Sequence, residues 1–167
     1  MSATWINTIV GIVGIIVGTL GTLATIWAIS KKKTITIVKK TSVYCSSLRK
    51  GTFTFDYSNN NGEYTIGEGD KSFRTKWSKA SGTSIHAYKD GVGIVAIALV
   101  KKIENIEKIR MVESDFSSRC RTPRIGDGII WQNASGNYAI TKVISIKDDT
   151  RGDDHDELTC DYVIIDS

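Results

Sequence analysis

The hairpin signature of this chain is FRTKWSKASGTSIHAY, residues 73–88, in which apolar and polar side chains alternate with a period of two. Ser81 and Gly82 interrupt the alternation, and a Ser-Gly pair favours a tight turn. Because successive strand residues point to opposite faces, one set of side chains is expected to face a core and the other to face away. The expected core-facing set is Phe73, Thr75, Trp77, Ile85 and Ala87.

The same alternation continues outward from this hairpin. Residues 53–57 alternate, the Asn-rich run 59–62 predicts a hairpin turn, and residues 64–66 are expected to form its return strand. Residues 129–146 predict a second hairpin with a central Ala-Ser-Gly-Asn turn, and residues 158–165 predict a last strand. Short strands separated by turn signals indicate an all-β domain, either a barrel or a sandwich.

Two apolar segments are harder to interpret. Residues 92–100 are apolar on both faces, which is typical of a central buried strand, although a helix is not excluded. Ile103, Ile106 and Ile109 recur every three residues, and this spacing is compatible with either a short helix or a strand.

The first thirty residues contain no charged side chain, and Lys31, Lys32 and Lys33 follow directly. An apolar run of this length is sufficient to cross a bilayer, so residues 5–30 predict a transmembrane helix. A cleaved signal peptide and a buried core helix fit less well, because the basic residues follow the apolar run and no polar face is present. The basic cluster orients the C-terminal side towards the cytoplasm. We therefore expect a single-pass inner (cytoplasmic) membrane protein with a basic juxtamembrane linker at 31–42 and a cytoplasmic β-domain at 43–167.

Small residues form a stripe along the predicted span. Such stripes let helix backbones approach closely in lipid, although glycine is also common in transmembrane helices generally. We expect this stripe to support a homo-oligomer in contact with membrane lipid. The helix-association residues are Gly11, Gly14, Gly18 and Gly21.

Composition narrows the possible functions. A net charge of +4 over 167 residues is too small for the strong basic signature of a nucleic-acid binder. Cys45, Cys120 and Cys160 form no C-x-x-C pair, which argues against a zinc site or a disulfide framework. No phosphate loop, nucleophile elbow, HExxH zinc motif or dinucleotide fingerprint occurs. We expect no cofactor, and an enzyme is the least favoured class; His86→Ala would test it.

Two cationic surfaces are candidate sites for a small anionic ligand such as a nucleotide. The first is the polar face of the 73–88 hairpin, although a solvated outer sheet face is the commoner reason for such residues. The second is the loop 117–124, whose arginines could grip phosphate, contact anionic lipid or only keep the loop soluble. The candidate residues are Arg74, Lys76, Ser78, Ser84, His86 and Tyr88 on the hairpin and Arg119, Arg121 and Arg124 in the loop.

A third candidate is the acidic run 148–157. Its carboxylates and histidine could bind a divalent cation, but the spacing does not match an EF-hand loop. An acidic hairpin turn explains the run better, because Asp and Gly favour turns.

The run 73–88, the run RIGDGIIWQN at 124–133 and the overall layout resemble small bacterial anti-phage defence effectors. These join a transmembrane anchor to a cytoplasmic β-barrel sensor domain, although they often have two spanning helices rather than one. The resemblance implies a sensor-effector whose β-domain binds a nucleotide signal and whose anchors assemble and damage the membrane. The alternative is a constitutive membrane-tethered scaffold that holds a partner without a switch.

Overall fold

The computed structural model describes residues 44–110 and 114–165 as an all-β domain, which confirms the predicted class. These residues contain short 3-10 turns but no α-helix, and no helix among them is long and apolar enough to cross a bilayer. The ten strands are β1 Cys45–Ser46, β2 Lys50–Phe55, β3 Glu63–Ile66, β4 Phe73–Ser81, β5 Ser84–Tyr88, β6 Ile94–Val100, β7 Cys120–Arg121, β8 Gly128–Asn133, β9 Tyr138–Lys147 and β10 Glu157–Ile164.

The strands form two five-stranded sheets. Sheet 1 has the order β1-β3-β4-β5-β7, and sheet 2 has the order β2-β10-β9-β8-β6. Neighbouring strands are antiparallel except β1 and β3, which run parallel. The β4–β5 and β8–β9 pairs are the predicted hairpins, and β10 is the predicted last strand.

The main core lies between the two sheets and is built from alternate residues of nearly every strand. Trp77 of sheet 1 meets Trp131 of sheet 2 edge to face, with ring centroids 5.2 Å apart. Each indole also has a buried threonine partner on its own sheet. Trp77 Nε1 donates to Thr75 Oγ1 at 2.8 Å, and Trp131 Nε1 donates to Thr141 Oγ1 at 2.9 Å. These hydrogen bonds satisfy the two indole N–H groups, which would otherwise be buried without an acceptor.

The 59–62 turn does not make the predicted hairpin. Strand β2 pairs with β10, whereas β3 pairs with β4, so the turn carries the chain from sheet 2 to sheet 1. Asn60, Asn61 and Gly62 are all left-handed, with φ of 48°, 57° and 69°. As a result Phe53 and Tyr64 stack across the core with centroids 4.3 Å apart. The local Asn-Gly signal identified a reversal but not the sheet that receives the return strand.

Strand β6 is an edge strand of sheet 2, so its predicted central position was wrong. Both faces are apolar because the connection after β6 folds back over the outer face of sheet 2. There Ile103, Ile106 and Ile109 pack with Ile130 and other apolar side chains in a second cluster. Their segment is neither the helix nor the strand expected, since only Ile106–Lys108 form a 3-10 turn. The spacing of these isoleucines therefore reflects burial against a sheet.

The predicted transmembrane helix at 5–30, the linker at 31–42 and the association residues Gly11, Gly14, Gly18 and Gly21 lie outside the described residues.

Candidate functional site

The predicted polar face of the 73–88 hairpin is the outer face of sheet 1. Phe73, Thr75, Trp77, Ile85 and Ala87 are buried against sheet 2, and the residues between them turn away. This half of the prediction is confirmed, and it follows directly from the two-residue period of a strand.

His86 lies on this outer face, in the middle of β5. Its Nδ1 atom is 2.9 Å from Thr122 Oγ1, which lies just after β7, and 3.9 Å from Cys120 Sγ. On the neighbouring strand Ser78 Oγ is 3.0 Å from Tyr88 OH. The sheet therefore brings residues from the hairpin and from the 117–124 loop together, although the two were predicted as separate candidates.

The remaining hairpin candidates lie at the ends of the same face. Lys76 and Tyr88 line a cleft of about 400 Å³ together with Tyr57 and Asp90. Ser84 Oγ is 2.6 Å from Ser81 Oγ at the β4–β5 turn. At the opposite end Arg74 contacts Glu63 in a loose ion pair of 3.9 Å, which partly offsets its charge.

The expected loop 117–124 contains the short strand β7, in which Arg121 lies, and its three arginines have different environments. Arg119 binds Asp90 through two hydrogen bonds of 2.9 and 2.6 Å, and this contact holds the pKa of Asp90 below its usual range. Arg121 forms a 2.8 Å ion pair with Asp115 and is only 17% exposed. These two guanidinium groups are therefore already engaged by carboxylates. Arg124 makes no ion pair with any residue that the structure describes.

Arg124 instead lines a second cleft, of about 480 Å³, which we name the Asp127 cleft. Asp127 joins its two walls: Oδ1 accepts from the Lys102 backbone N–H at 2.9 Å, and Oδ2 accepts from the Arg124 backbone N–H at 3.1 Å. The first contact spans 25 residues of sequence. The lining residues are Leu99, Lys101, Lys102, Thr122, Arg124 and Asp127.

Lys101 and Lys102 were absent from the predicted site. They follow an apolar strand, and a lysine pair at a strand end is ordinarily read as a solvated loop. No local pattern could have placed them beside Arg124, because the connection depends on the carboxylate of Asp127. The only hint is the Asp within the RIGDG run at 124–128, since Asp favours side-chain-to-backbone contacts in turns.

The acidic run 148–157 forms the connection of the β9–β10 hairpin, as the turn interpretation expected. Oxygens of Asp148, Asp149 and Asp156 lie within 4.8 Å of one another. The ammonium of Lys79 already lies among them, at 3.1, 2.5 and 3.0 Å respectively. This arrangement places an internal cation where the divalent ion was considered.

Burial by itself would raise the pKa of Asp148, but hydrogen bonds from Thr150, Lys79 and Arg151 outweigh it and hold the pKa well below its usual range. The hydrogen bond with Asp149, joined by those with Asp156 and Asp148, raises the pKa of Lys79 despite partial desolvation. These shifts favour the charged forms of Asp148 and Lys79, whose ion pair ties the turn to β4.

Comparison of the chain with protein-family models, with curated proteins and with solved structures found no match.

Proposed function

We propose that this protein is a membrane-anchored sensor-effector of bacterial defence whose β-domain binds a small anionic ligand and thereby controls assembly of its transmembrane helices. The single observation that carries the proposal is the unneutralised cationic cleft on the β-domain. Lys101, Lys102 and Arg124 converge there, and none forms an ion pair with a described residue.

The chemistry of the cleft supports an anionic ligand. Guanidinium and ammonium groups bind carboxylate or phosphate through charge-assisted hydrogen bonds. Thr122 and His86 add further hydrogen-bonding groups beside the cations. Duplex nucleic acid is disfavoured as the partner, because the net charge of the whole chain is only +4.

Sheet 1 offers a physical route from ligand to membrane. The chain enters the described domain at Tyr44, whose carbonyl accepts a 2.9 Å hydrogen bond from the Thr65 backbone N–H of β3. Strand β1 then pairs with β3, β3 with β4 and β4 with β5. His86 of β5 contacts Thr122, which lines the cleft. A ligand that shifts β4 and β5 would therefore act on the same sheet that receives the membrane-proximal chain.

The charge-free N-terminal run supports the effector half of the proposal. Its glycine stripe would let several copies pack closely in the inner membrane. No hydrophobic effect drives helices together in lipid, so association depends on the close van der Waals packing that small residues allow. In this scheme the partners are lipid and further copies of the chain.

The test is membrane permeability and cross-linked oligomer size for the full-length protein expressed in bacteria. Gly14→Leu with Gly18→Leu adds bulk on the stripe, and Ile16→Phe adds bulk on the opposite face as the matched control. We expect the paired glycine variant to lose both oligomers and permeabilisation, and Ile16→Phe to keep both.

Two outcomes would contradict the proposal. Oligomers and permeability unchanged in the glycine variant would remove the role of the stripe. Permeability equal to that of cells lacking the protein would favour the scaffold, as would permeability unaffected by deletion of the β-domain.

A further inference from the structure

We infer that the Asp127 cleft is a phosphate-binding site for a small phosphorylated molecule. This inference deepens the proposed function, on which it rests, because it names the location and the chemical class of the signal. Its support comes from the charge, the backbone geometry and the size of the cleft, each of which is independent of the transmembrane prediction.

The charge of the cleft is strongly one-sided. Three cationic residues line it, and Asp127 is the only carboxylate among the lining residues. Both oxygens of that carboxylate already accept backbone N–H groups, from Lys102 and Arg124. Its charge is therefore directed at the backbone of the site, and the lysine and arginine side chains remain available for an added anion. By contrast, Arg119 and Arg121, which lie beside and within β7, each have a carboxylate partner.

The backbone of the cleft is held in an unusual conformation. Lys102 has φ of 52°, a left-handed conformation that disfavours residues with a Cβ. Two long-range contacts fix it: its own N–H donates to Asp127, and the next N–H, of Ile103, donates to Gly126 O at 2.9 Å. Strain of this kind is concentrated at ligand clamps, where the surrounding structure over-determines one conformation. The left-handed conformation of Lys102 places Lys101 and Lys102 in the same cleft as Arg124.

The size and composition of the cleft select the ligand class. A volume of about 480 Å³ matches the small-molecule range rather than a macromolecular interface. Arginine presents a planar fork to phosphate oxygens, and lysine adds point charges around it. Thr122 supplies a hydroxyl that is shared with His86, and Leu99 offers an apolar contact for a non-phosphate portion. Several cations around one hydroxyl suit the multiple charge of a phosphate group better than a single carboxylate.

The test is calorimetric titration of the full-length protein in neutral detergent with inorganic triphosphate and with inorganic phosphate. The variants are Lys102→Gln and Arg124→Gln, and Lys108→Gln is the matched control, because it removes one exposed positive charge outside the cleft. We expect triphosphate to bind more tightly than phosphate and each cleft variant to weaken triphosphate binding about tenfold. The control should change binding less than about twofold, and added salt should weaken binding to the wild type.

A lipid headgroup carries the same phosphate chemistry, so a second arm uses phosphatidylcholine vesicles with and without phosphatidylglycerol. We expect the cleft variants to bind both vesicle types as the wild type does. Triphosphate binding that is absent from the wild type or insensitive to both cleft variants would overturn the inference, as would cleft variants that lose only vesicle binding.

Failure of this site and failure of the proposed function give different results. A glycine-stripe variant that still permeabilises cells, together with cleft variants that lose triphosphate binding, would remove the effector and keep the site. Conversely, stripe-dependent permeability with cleft-independent triphosphate binding would keep the effector and remove the site.

Discussion

Thr75→Val removes two buried hydrogen bonds of the core without changing the shape of the core. Thr75 and Trp77 are essentially inaccessible to solvent, at 0% and 1% exposure. Thr75 Oγ1 accepts from Trp77 Nε1 and donates to the Tyr64 carbonyl, both at 2.8 Å. Valine fills nearly the same volume, so the substitution leaves no cavity but removes both interactions. The indole N–H of Trp77 is then buried without an acceptor.

The magnitude follows from these contacts. Leaving a buried donor without an acceptor lowers the free energy of unfolding by about 1–3 kcal/mol, and losing an ordinary hydrogen bond lowers it by about 1 kcal/mol. Valine packs favourably in a strand and offsets part of this loss, so we expect the free energy of unfolding to fall by about 2–3 kcal/mol. In a domain of this size the melting temperature should fall by about 5–10 °C.

The assay is urea unfolding of the full-length protein in detergent, followed by far-ultraviolet circular dichroism. Thr54→Val is the matched control, because Thr54 lies exposed on β2 and its hydroxyl hydrogen-bonds the exposed Thr159 Oγ1 at 3.0 Å. Its effect should stay within about 0.5 kcal/mol. The decisive measurement repeats Thr75→Val in a Trp77→Phe background, where no indole N–H remains to be stranded.

The reasoning is refuted by either of two results. One is a loss of less than about 0.5 kcal/mol for Thr75→Val, which is the range of ordinary surface changes. The other is an equal loss for Thr75→Val in the wild type and in the Trp77→Phe background, since the double-mutant cycle would then show no coupling between the two side chains.

Three further predictions concern the turn cluster, a glycine and a thiol. Asp148 has a lowered pKa in the folded state, so its stabilising contribution is full above about pH 4 and is lost as the pH falls through the folded pKa. Asp148→Asn should therefore lower the melting temperature at pH 7 and flatten its decline towards pH 3; parallel curves would contradict this. Gly62→Ala should destabilise the domain strongly in the same urea assay, because the added Cβ would lie 2.0 Å from the Trp77 carbonyl oxygen at φ of 69°. Gly136→Ala meets nothing within 4 Å, so it should show only a left-handed backbone penalty of about 1 kcal/mol, and equal losses would refute the steric argument. Cys160 is buried, and burial raises the pKa of its thiol, so mass spectrometry should find it alkylated only after unfolding; labelling under native conditions would show that it is accessible.

The sequence predicted the strands well where one face is buried and the other is not. In the 73–88 hairpin every residue assigned to the core is buried, because the two-residue period is a local property of the strand. The prediction failed where a segment outside the sheets covered a strand. Strand β6 has two apolar faces only because residues 103–109 cover one of them.

The candidate site shows the same contrast between what local sequence predicts and what only the folded structure decides. Local sequence identified His86 and Arg124 as chemically suitable, but it could not say which cations remain available. Arg119 is neutralised across 29 residues by Asp90, and Lys102 joins Arg124 only through Asp127.

What the sequence by itself determined was therefore the alternation of strand faces, and with it which side chains point away from the core. The tertiary structure alone decided which strands are neighbours and which charges are paired. The physical reason is that strand periodicity is set by the backbone of adjacent residues, whereas Coulomb attraction and burial depend on distances in space between residues far apart in the chain.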